Sequence, residues 1–111
     1  MKQRLLFIDT ETTGLDAITN DIIQIGGLYE EDGIVIEEFN FKCQPFNMEN
    51  VSEKALEVNK ITRAEMMTYA TSQVVCKEFV KALKRFAPYG TKVKPIGANC
   101  KFDIDFMIKF F

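Results

Sequence analysis

The chain has no histidine. That absence removes serine–histidine–aspartate triads, histidine-ligated zinc and a histidine general base from its chemistry. Cysteine is sparse. Cys43, Cys76 and Cys100 are odd in number, widely spaced and form no CxxC pair, so no zinc site is expected and they read as reduced thiols in a cytoplasmic setting. No apolar run approaches the roughly 20 residues of a membrane span. The apolar stretch after Lys2 and Arg4 breaks at Asp9, which argues against a signal peptide. Neither a GxGxxG turn nor a P-loop is present, so the Gly-rich nucleotide cradles are missing too.

What is present is a sizeable apolar fraction, 47% of 111 residues with ten Phe, enough for one domain spanning residues 1–111. Net charge is −2 but unevenly spread. Residues 1–70 hold 6 basic and 13 acidic side chains, and residues 71–111 hold 8 basic and 3 acidic. The basic portion is either a solvated helix face or a weak phosphate-facing surface.

The pattern predicts strands over Arg4–Asp9, Asp21–Glu30 and Ile34–Lys42, the last two joined by a turn at Glu31-Asp32-Gly33 where Asp-Gly tolerates positive φ. Gly26-Gly27 within the second strand marks a bulge or a close approach. Ser52 is a candidate N-cap for a short helix to Val58, and Thr62-x-x-Glu65 is a capping box. The clearest helix is Ser72–Phe86, with Val75, Phe79, Leu83 and Phe86 on one stripe and Lys77, Lys81, Lys84 and Arg85 largely off it. A short strand over Pro95–Asn99 and a helix-compatible stretch over Phe102–Phe111 follow. An antiparallel meander followed by a crossover helix and a parallel strand is an α/β mixed sheet. In such sheets ligands gather beyond the carboxyl ends of the strands, which would bring Asn99–Asp103 beside Asp9.

Asp9 and Glu11 are two apart on the first strand, so both point to one face and Thr10 points away. Two adjacent carboxylates repel each other, and a hard divalent cation relieves that repulsion. On the residues alone two readings stand: a cation site, or acids that pair with lysine or cap a turn. Asp103 has the same ambiguity, because the first turn of a helix favours an acid. Asp105 reads as solvent-facing.

FIDTETTGL, then NDIIQIGG, VNKIT and PIGANCKFDIDFM, resembles the DnaQ-like 3′–5′ exonucleases of the DEDD superfamily, the group that includes the proofreading subunit of bacterial DNA polymerase III. The resemblance covers nearly the whole chain in the family's order. It implies a ribonuclease H-like fold and two-metal hydrolysis of phosphodiesters from the 3′ end of nucleic acid, DNA before RNA, with Mg²⁺ or Mn²⁺ as cofactor. On that resemblance Asp9 would bridge both ions, Glu11 would help hold the one activating water, and Asp103 would hold the one at the departing oxygen, the ions lying about 3.5–4 Å apart. The backbone around Thr10 and Thr12, the side chain of Leu15, and Asn99 would contact substrate. A polymerase, or a second chain completing the domain, is the implied protein partner.

The resemblance is incomplete. The family's third motif, with a histidine or tyrosine base and a last acid, has no counterpart before Phe111, so the C-terminal part of the fold is expected to be missing. A general base contributes about 10²–10⁴-fold, so weak or no activity is expected of this chain alone. Three accounts stand: a shortened product, a domain completed by another chain, or a non-catalytic nucleic-acid-binding or accessory subunit. Aspartyl-phosphate phosphatases share a strand ending in Asp, but usually place a second aspartate where this chain has Glu11.

Overall fold

The computed structural model describes residues 3–88 and 92–97. The elements are β1 (Arg4–Thr12), β2 (Ile22–Glu31), β3 (Ile34–Lys42), a 3₁₀ turn at Met48–Asn50, α1 (Glu53–Asn59), α2 (Arg63–Met66), α3 (Ser72–Phe86) and β4 (Lys94–Ile96). The strands form one sheet in the order β3-β2-β1-β4. β1–β2 and β2–β3 are antiparallel, and β4 returns parallel to β1 with Phe7 opposite Ile96. The meander and the parallel return through α3 are therefore formed as the pattern implies.

Local chemistry fixes the joints. Asp32 and Gly33 both take positive φ, 49° and 85°, which turns the chain in the sense that matches strand twist. Ser52 accepts the Ala55 N–H and Thr62 accepts the Glu65 N–H, each satisfying a helix-end donor. Thr71 caps α3 in the same way through the Val74 N–H. β1 runs past Asp9 to Thr12 instead of stopping at the acid, because Gln24–Gly26 of β2 supply ladder partners for Asp9–Glu11. The register then shifts between Glu11 and Thr12.

Two cores hold the sheet. On one face Leu6, Ile25, Tyr29 and Phe39 meet Val75, Phe79, Ala82 and Phe86 of α3. The Tyr29 and Phe86 rings stack with centroids 4.6 Å apart, and Phe39 and Phe79 lie 5.6 Å apart. Leu83 is only partly buried, and Ala82 takes its place in the stripe. A smaller core joins Ile23 to Val51, Leu56 and Met66, docking α1 and α2 against β2. The two consecutive glycines differ. A Cβ on Gly27 would fall 1.8 Å from the Phe7 carbonyl oxygen, whereas on Gly26 it would meet nothing nearer than 3.9 Å. Close approach therefore requires glycine at Gly27 alone. Among the described residues no helix is long and apolar enough to cross a membrane.

Candidate functional site

Alternation along β1 sends Leu6, Ile8 and Thr10 toward α3 and leaves Asp9 and Glu11 on the opposite face. Thr10 is buried, Asp9 is exposed and Glu11 is half-buried. Across the ladder Asp9 faces Gly26 and Glu11 faces Gln24, and Gly26 in turn faces Asn40 of β3. Gln24 Nε2 donates to Asn40 Oδ1 at 2.8 Å. Because Gly26 has no side chain, the floor between these groups is open. The result is a trough of about 610 Å³ lined by Phe7, Asp9, Glu11, Gln24, Gly26 and Asn40, with Ile96 and Gly97 at the β4 side. Among the described residues the Asp9 carboxylate has no hydrogen-bond or ion-pair partner.

Beyond Glu11 the chain enters a loop that is pinned from several directions. Thr12 Oγ1 donates to the Gly14 carbonyl at 2.7 Å. Thr13, fully buried, donates its N–H to Asp21 O, and its Oγ1 accepts the Asp21 N–H at 3.0 Å. Ser52 N–H donates to Thr13 O at 2.7 Å, and Asn59 Nδ2 donates to Thr12 O at 3.2 Å from 47 residues away. Gly14 packs against the Asn20 side chain so closely that a Cβ would lie 2.4 Å from Asn20 Oδ1.

This pinning places α1 beside the end of β1 and creates a second cavity of about 500 Å³, lined among others by Glu11, Leu15, Lys54, Val58 and Asn59. Leu15 and Val58 are apolar yet 87% and 69% exposed. Glu11 lines both cavities. The arrangement thus offers carboxylate oxygens between an open trough and a partly apolar pocket of the size that takes a small organic ligand.

Of the residues singled out from sequence, Asp9, Glu11, Thr10, Thr12 and Leu15 fall in this region. Asn99 and Asp103 lie outside the described residues, as do Cys100 and Asp105. Among the described residues no three Cys, Asp or Glu side chains are grouped closely enough to hold a metal ion. Cys43 and Cys76 are free thiols, and burial pushes the Cys43 thiol up to about 12. Asn40 and Lys54 were not picked out by sequence, and Gln24, Val58 and Asn59 were only parts of the NDIIQIGG and VNKIT segments, with no role of their own. The signal for Gln24 is its pairing with Glu11, which requires the β1–β2 register.

A family model described as Exonuclease matches residues 6–108. The PolC-type DNA polymerase III of Thermotoga petrophila is 30% identical over 77 residues, which is 69% of this chain and 6% of that protein. The Thermotoga maritima enzyme of the same name matches to the same extent. Among solved structures, E. coli Exonuclease I in complex with a dA16 oligonucleotide superposes with a TM-score of 0.81 at 21% identity, covering 98% of this chain and 23% of that one. The zinc-bound form of the E. coli Exonuclease I–single-stranded DNA complex gives a TM-score of 0.82 at 20% identity, covering 100% and 24%. The chain therefore spans a small part of each relative, and the structural likeness establishes the ribonuclease H-like fold.

Proposed function

The chain belongs to the exonuclease family, in the DnaQ-like group, and on that premise we propose that it hydrolyses phosphodiester bonds from the 3′ end of nucleic acid, DNA before RNA. Asp9, Glu11 and Asp103 would hold two divalent ions, Mg²⁺ or Mn²⁺. The observation that supports this best is the position of Asp9 and Glu11 on one face of an interior strand, with Glu11 shared between the trough and the pocket.

The donor chemistry fits such ions. Both groups are carboxylates, which hard divalent cations prefer, and Asp9 stands solvent-facing without a basic partner among the described residues. Bound ions would neutralise phosphate charge and make a water molecule a better nucleophile. The chain's own part is positioning. The Thr12–Gly14 loop, held by Ser52 and Asn59, fixes the pocket wall against the carboxylates. Leu15 and Val58 would flank the terminal base and keep water from it. Gln24 and Asn40, locked to each other, border the trough that a phosphate backbone would follow. Association with a polymerase is proposed from the two PolC-type relatives.

The test is to incubate the full chain with 5′-labelled single-stranded DNA and Mn²⁺. Slow stepwise shortening from the 3′ end, lost in Asp9→Ala, is expected, since the chain lacks the family's third motif. Internal cuts or shortening from the 5′ end would overturn the polarity. Binding without any shortening would replace the enzyme with a nucleic-acid-binding module.

A further inference from the structure

β3 is an outer strand of the sheet, and its free edge has a defined end. Cys43 N–H donates inward to Ile23 O, whereas Gln44 N–H donates outward to Ala70 O at 2.8 Å. By alternation the N–H and C=O groups of Glu38, Asn40 and Lys42 point out of the sheet. They have no partner among the described residues. The side chains along this edge follow a fixed order. Ile34, Val35 and Ile36 are exposed at the hairpin end. Glu38 follows, with no ion-pair partner among the described residues. Then come Asn40 and Lys42, whose ammonium lies 5.7 Å from the centre of the Tyr69 ring. Past Lys42, Phe46 and Met67 are exposed, and the Met67 carbonyl accepts from the Gln44 side chain. Apolar, acid, amide, base, apolar is an order that a half-turn about Asn40 maps onto its own complement.

We propose that two copies of this chain pair antiparallel through β3, with Asn40 of one opposite Asn40 of the other. In that register Glu38 of each copy faces Lys42 of the second copy, so opposite charges meet at both ends of the ladder. All of these side chains lie on one face of the strand, and Phe39 and Phe41 pair on the other. The new ladder is confined to Glu38–Lys42. At one end Ile36 has no partner in β2, because Tyr29 faces Glu37 and Glu30 faces Val35, and such an extra residue bends a strand out of its plane. At the other end Ala70 takes over the edge from Gln44. The bent tip at Ile34–Ile36 then reaches Phe46 and Met67 of the second copy, and apolar surface leaves water on both sides. Because the contact is two-fold and uses the same patch twice, it closes at a dimer. It is independent of the hydrolytic reading.

The experiment is analytical ultracentrifugation of the full chain over a wide concentration range, with circular dichroism on each variant to check the fold. A reversible monomer–dimer equilibrium is expected. Lys42→Glu and Glu38→Lys each set like charges against one another at both ends of the ladder, and each alone should raise the dissociation constant about tenfold or more. An equimolar mixture of the two variants should recover the dimer, because every like pair becomes an opposite pair. Glu38 and Lys42 are roughly 13 Å apart along an extended strand, so this recovery cannot arise within one chain. A chain that stays monomeric at every concentration overturns the proposal. A dimer indifferent to both substitutions also overturns it, by placing the contact elsewhere. A mixture that fails to recover removes the Glu38–Lys42 pairing and its register. Species that grow beyond two overturn the closed two-fold contact.

Discussion

Asp9 stands directly across the β1–β2 ladder from Gly26, the one glycine of the pair that steric contact does not demand. Its neighbour Gly27 is locked under Phe7. Gly26→Ala should therefore fold normally and gain up to about 0.5–1 kcal/mol, the usual advantage of alanine over glycine within regular structure. Gly27→Ala should lose about 3 kcal/mol or more, since backbone has to move to admit the methyl group. Urea unfolding of the two variants checks the contrast. Equal losses would mean that the trough floor is packed rather than open.

Asp9→Ala should separate stability from ion binding. The carboxylate is exposed and lies beside Glu11 on the same face, so removing it relieves repulsion and should leave unfolding free energy within about 0.5 kcal/mol of the parent or slightly raise it. Mn²⁺ binding by calorimetry should fall at least tenfold. Asp103→Ala should behave likewise, whereas Asp105→Ala should retain the parent affinity. A uniform loss across all three variants would remove the assignment of Asp103.

Thr13→Val should weaken the fold and blunt the site at once. The substitution keeps the volume but deletes the hydroxyl that accepts the buried Asp21 N–H, and an amide left unsatisfied costs about 1–3 kcal/mol. Because Thr13 also receives the Ser52 N–H through its carbonyl, α1 should loosen. Faster hydrogen exchange in Glu53–Asn59 would report this. Unchanged exchange there would separate the loop from the helix.

Alkaline pH should destabilise the chain partly through Cys43. Burial is the largest cause of its raised value of about 12, against about 8.5 for a free thiol. Below about pH 8.5 the folded and unfolded forms both keep the proton. Between there and 12 only the unfolded form releases it, so stability falls as pH rises, by at most ~1.4 kcal/mol per unit. Unfolding curves of Cys43→Ala should show a shallower decline than the parent over that window. Parallel declines would mean the thiol ionises alike in both states.

How much of this was legible from residues depends on the range of the contact. Strand alternation alone put Asp9 and Glu11 on one face, and Asp32-Gly33, Ser52 and Thr62 marked their turn and caps through bonds spanning a few positions. The pairing of Gln24 with Glu11 was not legible, because a ladder can slide by a residue and the shift at Glu11/Thr12 sits beside that pair. Nor was the pocket wall. Lys54, Val58 and Asn59 reach it only because Asn59 grips Thr12 from 47 residues away, and no periodicity encodes a bond of that span. Asn99 and Asp103 were brought near Asp9 by the expected parallel strand and given their roles by resemblance, and they lie outside the described residues.

β1 is interior to the sheet, bonded to β2 along its length and to β4 at Leu5, Leu6 and Phe7. Leu5 to Phe7 are therefore gripped from both sides, and Asp9 and Glu11 extend from that anchored stretch along the β2 ladder, so their backbone is set by the middle of the sheet and not by a free strand end.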